Sequence, residues 1–149
     1  MNEANEKNIQ EKLSIYRQAW LASDIDLFSS IWDETYPNLT FMPMERARIL
    51  RGWESIIEYW KTILPITRME RWDITNSIID FLASDVAWVF CEHEFAYRVT
   101  DGTQEGLQEY EARTTHIFRR TSDGEWKVIH YEDSIQWFPS SDEARRAAD

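Results

Sequence analysis

Apolar residues recur at three- and four-residue spacing in the first part of the chain and alternate with polar residues through the rest. Ile9, Leu13, Tyr16 and Trp20 form one stripe, which predicts a helix from about Asn5 to Ala22. Ser23-Asp24 breaks it, and Asp24 can cap a second, short helix carrying Leu27, Phe28, Ile31 and Trp32. The turn Tyr36-Pro37-Asn38 leads into a short strand, Leu39 to Met42, and Arg46 to Arg51 suggests another that ends at Gly52. Trp53 opens a third helix, with Ile56, Ile57, Trp60, Ile63 and Leu64 on its buried side, and Pro65 ends it.

After Pro65 the period changes from helical to two. Arg68 to Leu82, Val86 to Thr100, Leu107 to Arg120 and Trp126 to Trp137 read as long strands, joined by turns at Ala83-Ser84-Asp85, Asp101-Gly102 and Asp123-Gly124. Helices followed by a meander of strands is an α+β order, with the helices on one face of an antiparallel sheet. Asp123-Gly124 marks the last hairpin. If Ser122 faces Glu125, then Ile117 faces His130, Thr115 faces Glu132 and Arg113 faces Ser134. Arg113, Thr115, Ile117, Trp126, Val128, His130, Glu132 and Ser134 then share one face, expected to line a small-molecule pocket. A slip of one residue would exchange the faces. The other face carries Phe118, Ile129, Tyr131, Ile135 and Trp137, a second apolar surface for which a partner subunit is the natural cover.

At 149 residues the chain is read as one domain, 1–149, with 1–7 and 139–149 expected to be mobile tails. With 43% hydrophobic residues it can bury a core. A net charge of -11 argues against nucleic acid, whose phosphates require a basic surface. No uncharged apolar run approaches membrane-spanning length, and the amino terminus lacks the apolar segment of a secretion signal. The single cysteine, Cys91, suits a reducing cytoplasm.

Among the ionisable residues, Glu132 is the leading candidate for an acid or base, since an inward position among Trp126, Val128 and Ile117 would raise its pKa. Arg113 could oppose that shift, and the competing reading is a purely structural Arg113–Glu132 pair. His130 could move protons or simply support its strand. His93 lies on the second long strand with Cys91 and Phe95 on its face, and joins the pocket only if that face is the inner one; His116 is expected on the opposite face from His130, with Phe118. Tyr16 and Trp20 share the inner side of the first helix, where core packing and ligand contact are equally good readings. No metal site is expected: His130-x-Glu132, even with His93, lacks ligand spacing. Nor is a cofactor: there is no glycine-rich phosphate loop among only four glycines.

Several segments resemble the nuclear-transport-factor-2-like superfamily, in particular its SnoaL-like and ketosteroid-isomerase-like branches. Tyr16-Arg-Gln-Ala-Trp-Leu-Ala-Ser-Asp24 is similar to the family's first helix and the break after it. Leu50-Arg-Gly52-Trp-Glu-Ser-Ile56-Ile-Glu-Tyr-Trp60 resembles the start of its third helix, and the hairpin from Arg113 to Ser134 its carboxy-terminal strands. That hairpin also resembles the association domain of calcium/calmodulin-dependent kinases. The resemblance runs from about Ile9 to Trp137 and implies a cystatin-like cone: a curved antiparallel sheet with three amino-terminal helices on its concave face. It also implies a homodimer through the outer sheet face.

The superfamily includes isomerases, dehydratases, cyclases, hydrolases and non-catalytic binding or assembly modules, so the resemblance does not settle chemistry. Ketosteroid-isomerase-like enzymes carry a catalytic aspartate before a proline. Here Met42 precedes Pro43, and a thioether cannot abstract a proton. Tyr16 falls where those enzymes hold an oxyanion-stabilising tyrosine, and Glu132 stands where the carboxy-terminal motif has a second histidine.

The expectation is therefore a pocket for a small, partly apolar molecule. Glu132, His130 and Tyr16 would be catalytic, and Arg113, Thr115, Trp20, His93 and Ser134 would bind ligand. The alternative is a ligand-binding or assembly domain without catalysis.

Overall fold

The computed structural model describes residues 2–135. Helix α1 (Asn2–Ala22) leads into α2 (Ile25–Ser30), β1 (Thr40–Met42), β2 (Leu50–Arg51) and α3 (Gly52–Ile63). A 3₁₀ turn (Leu64–Ile66) precedes β3 (Thr67–Ala83), β4 (Val86–Val99), β5 (Gln108–Arg120) and β6 (Trp126–Ile135). Residues 2–7 form the first turns of α1, and Trp137 and the segment 139–149 lie outside the described residues.

Asp24 caps α2 as its position suggests: Oδ1 accepts from the Asp26 amide at 2.9 Å and the Leu27 amide at 3.1 Å. The segment from Arg46 forms a strand only over Leu50–Arg51. Gly52, at φ +78°, supplies the left-handed conformation that turns β2 into α3.

The six strands form one curved, unclosed sheet in the order β2-β1-β6-β5-β4-β3. The expectation of an antiparallel sheet holds for all its pairs but one: β1 runs parallel to β6, with Thr40 beside His130 and Met42 beside Glu132. All three helices pack inside the curve. Ile9, Leu13 and Tyr16 of α1, Phe28 of α2 and Ile56 and Trp60 of α3 are buried there against Phe41, Trp72, Val89, Phe118, Val128 and Tyr131. Trp60 stacks on Phe28 at 4.2 Å and on Phe41 at 5.2 Å between ring centroids, which ties two helices to the sheet.

The last hairpin decides which side chains enter the cone. Thr121, not Ser122, faces Glu125: the Thr121 amide donates to the Glu125 carbonyl at 2.8 Å, so the loop has three residues and ends on Gly124 at φ +88°. The pairing then runs Arg120–Trp126 and Phe118–Val128 before a bulge at Ile129 restores Ile117–His130, Thr115–Glu132 and Arg113–Ser134. A bulge inverts the alternation of faces, so the expected single face is split. Trp126 and Val128 point into the core, whereas His130, Glu132 and Ser134 lie on the convex side with Arg113, Thr115 and Ile117. Tyr131 and Asp133 turn inward instead.

The bulge falls where β6 changes neighbours. Before it the Val128 amide donates to the Ile31 carbonyl at 2.7 Å; after it β6 pairs with β1.

Candidate functional site

A cavity of about 270 Å³ opens between the helices and the sheet. Its walls come from every layer: Tyr16 and Trp20 of α1, Tyr59 and Ile63 of α3, Met69 and Trp72 of β3, His93, Phe95 and Tyr97 of β4, and Tyr131 and Asp133 of β6. Met44, Glu45 and Thr103 sit at the rim, the last two exposed to solvent. Alternation along β4 places His93, Phe95 and Tyr97 inward together, and the cavity wall is correspondingly aromatic. Phe95 stacks on Tyr97 at 5.9 Å, and the His93 ring lies 4.8 Å from Trp72.

Two carboxylates reach this space. Asp133 lies on the inner face of β6, and burial pushes its pKa from 3.8 up to about 8; the Tyr131 hydroxyl partly offsets that rise, while Glu45 and Glu132 add to it by charge repulsion. Asp133 is therefore an acid that loses its proton near neutral pH. Glu45 accepts a hydrogen bond from the Tyr59 hydroxyl, which ties the loop before β2 to α3 at the rim.

The other polar groups of the wall are held uncharged. Burial holds the Tyr16 hydroxyl protonated far into the alkaline range, with Asp133 adding to the effect. His93 is buried, and desolvation lowers its pKa to about 4. Neither the Tyr16 hydroxyl nor His93 Nδ1 makes a hydrogen bond of good geometry to any of the described residues. An unpartnered buried polar atom beside a cavity is a free hydrogen-bonding site for whatever enters. His116 lies deeper, beneath Tyr16 and Tyr131 at ring distances of 6.1 and 4.3 Å, and burial lowers its pKa to about 3.

Of the residues singled out from sequence, Tyr16, Trp20 and His93 come together on this wall. Arg113, Thr115, Glu132 and Ser134 come together as well, but on the opposite side of the sheet, along a groove with Ile78, Phe90 and Glu92. His130 is on that convex side too, its Nδ1 2.6 Å from the Thr40 hydroxyl. Desolvation lowers its pKa and Glu132 opposes the shift.

Sequence reading passed over Asp133, Tyr131, Tyr59 and Glu45. The signal for the first two was present: Val128-Ile129 places two apolar residues in succession and breaks the alternation of β6. Among the described residues no group of three His, Cys, Asp or Glu side chains is arranged to hold a metal ion. None of the described helices is long and apolar enough to cross a membrane.

Comparison with solved structures places this architecture. An NTF2-like superfamily protein from Salmonella enterica serovar Typhimurium superposes with a TM-score of 0.78 at 17% identity, over 96% of this chain and 99% of that one. A presumed dehydratase of the NTF2-like family from Streptomyces avermitilis gives 0.76 at 18% identity, over 91% and 99%. A presumed ketosteroid isomerase from Parabacteroides distasonis gives 0.65 at 17% identity, over 84% and 85%. No curated protein matches the chain by sequence. The family model of the SnoaL-like domain matches residues 9–137, nearly the whole chain, and the protein belongs to that family.

Proposed function

We propose that this protein is an enzyme that moves a proton on a small, partly apolar organic molecule, in an isomerisation, dehydration or related reaction. The observation that carries the reading is Asp133: a carboxyl group on the wall of an apolar cavity, with a pKa near 8. A general acid–base group works best when its pKa lies near the working pH. Ionised, Asp133 takes a proton from carbon next to an electron-withdrawing group; protonated again, it returns the proton to a neighbouring carbon or to a departing oxygen. The Tyr16 hydroxyl and the neutral His93 ring are the donors available to the negative charge that develops on substrate oxygen. Trp20, Trp72 and Phe95 hold the apolar part.

In this reading Tyr16 and Trp20 have the roles expected of them from sequence, His93 passes from ligand contact to oxyanion donor, and the acid–base role passes from Glu132 and His130 to Asp133. Two of the structural neighbours carry names in the same reaction classes, dehydratase and isomerase, which supports the class without naming a substrate.

The test is solvent exchange. A panel of small cyclic ketones and β-hydroxycarbonyl compounds is incubated in heavy water with the protein, and deuterium uptake is followed by mass spectrometry. Wild type should exchange protons next to the carbonyl, and Asp133→Asn should not. Equal exchange by the two proteins would overturn the assignment.

A second reading concerns assembly and rests on the convex face. Ile78, Trp88 and Phe90 are 57%, 41% and 38% exposed, and they adjoin one another across β3 and β4. Arg113 and Glu132 flank them. This is the apolar patch with a charged border that a homodimer interface requires. The residues first expected there, Phe118 and Tyr131, are buried under the helices instead. Sedimentation equilibrium of wild type against Trp88→Glu should show a dimer and a monomer. Such a protein, with one buried thiol, would work unimpaired in the reducing cytoplasm.

A further inference from the structure

The charge of the cavity wall is one-sided. Glu45 and Asp133 line it, and among its described residues there is no lysine or arginine. His93 brings no positive charge, because desolvation keeps it neutral. The remainder is largely π surface, with Trp20, Trp72 and Tyr97 presenting rings to the same space, while the Tyr59 ring carries the Arg46 guanidinium 5.7 Å from its centroid. The whole chain adds a negative field, with a net charge of -11. An anion entering here would meet two carboxyl groups and no cation among the lining residues. A neutral molecule would have the apolar walls and the polar groups of Tyr16 and His93. A cation would gain from the negative ring faces and from both carboxyl groups at once.

We infer that the ligand of this cavity is a small organic cation, a protonated or quaternary amine borne on an apolar ring or short chain. The inference rests on the acid–base reading of the same cavity and names its substrate class. The ammonium group lies between Glu45 at the rim and Asp133 on β6, with its carbon skeleton against Trp20 and Trp72. At about 270 Å³ the cavity is near the small end for ligand sites and admits a molecule of one or two rings.

Binding is coupled to a proton. The groups facing Asp133 are Tyr16 of α1, Glu45 before β2, Tyr59 of α3, His93 of β4 and Tyr131 of β6, with Glu132 acting by charge repulsion from the other face of the strand. None of these carries a positive charge at neutral pH, and Arg46 lies over the Tyr59 ring outside the lining, so an arriving cation favours the ionised carboxylate. Below about pH 8 the amine therefore displaces the Asp133 proton into solvent.

Three probes of one size separate the possibilities: 2-phenylethylamine as the cation, 2-phenylethanol as the neutral analogue and phenylacetate as the anion. Calorimetry near neutral pH should show the amine binding about tenfold or more tightly than the alcohol, a difference on the scale of one cation–π contact plus one ion pair. Phenylacetate should bind least. Repeating the titration in buffers of different ionisation enthalpy should reveal proton release with the amine, lost in Asp133→Asn. Glu45→Gln should weaken the amine more than the alcohol, narrowing the difference between them.

Alcohol binding equal to that of the amine, preference for phenylacetate, or no amine binding at millimolar concentration would each overturn the inference. Deuterium exchange dependent on Asp133 alongside any of those results would leave the acid–base reading in place. Amine selectivity without such exchange would overturn that reading and keep the ligand class.

Discussion

Glu132 and Asp133 are neighbours in the chain and lie on opposite faces of β6, Glu132 on the convex groove and Asp133 on the cavity wall. One residue thus separates two carboxyl groups with different work to do. The expected contrast is large. Asp133→Asn should lower turnover by on the order of 10² to 10⁴, the usual contribution of a positioned acid–base group. Glu132→Gln should change it by less than about threefold, since Glu132 does not line the cavity. Parallel exchange assays of the two variants check this, and equal losses would show that the faces are exchanged.

The buried titratable groups give stability a defined pH profile. Folded Asp133 keeps its proton to about pH 8, whereas unfolded it ionises near 3.8, so the folded state binds more protons between those values and stability falls as pH rises through them. His93 and His116, with pKa values lowered from 6.5 to about 4 and about 3, act in the other direction: their contribution is present above pH 6.5 and is lost on acidification. The two histidines outweigh one aspartate below pH 6.5, and between pH 6.5 and about 8 Asp133 sets the fall, which puts a maximum near pH 6.5. Melting temperatures across pH should show this peak, and Asp133→Asn should flatten the fall between pH 6.5 and about 8 and steepen the rise on the acid side.

The stacked trio of Phe28, Trp60 and Phe41 joins α2, α3 and β1. Trp60→Ala should cost about 3–5 kcal/mol, the range for large aromatic residues truncated in a close-packed core. Urea denaturation at constant m-value measures it. A loss below about 1 kcal/mol would mean that the trio is not part of the cooperative core.

The bulge at Ile129 matters through its residue count rather than its side chain. Deleting Ile129 removes the extra residue, so Phe118–Val128 runs directly into Ile117–His130 and Trp126, Val128, Tyr131 and Asp133 all stay inward. The deletion should therefore retain cooperative unfolding, as should Ile129→Ala at this half-buried position. Thermal melts of both proteins make the comparison, and a deletion variant without a cooperative transition would refute the register argument.

The helices and the meander of the four long strands were legible because their periods are long and unbroken: the stripe Ile9, Leu13, Tyr16, Trp20 and the cap at Asp24 mark α1 and α2 without tertiary information. The distal hairpin pairs, Arg113 with Ser134 and Thr115 with Glu132, were legible too. The side of the sheet was not. A three-residue loop in place of two and an inserted Ile129 cancel in register, so the far pairs come out the same while the near half of β6 faces the other way. Parity arguments accumulate such errors, since a single bulge inverts every residue beyond it. Glu45 and Tyr59 were illegible for another reason: their meeting joins a loop to a helix, and no period in the sequence encodes it.

Cys91 is the only thiol in the chain, buried on the inner face of β4, with its pKa raised to about 11 by desolvation. It cannot be alkylated until the sheet opens, because reagents require an accessible thiolate. The native protein therefore carries its own clock: the rate at which a thiol reagent marks Cys91 reads how often the floor of the cone breathes, and a ligand that seals the cone should slow it.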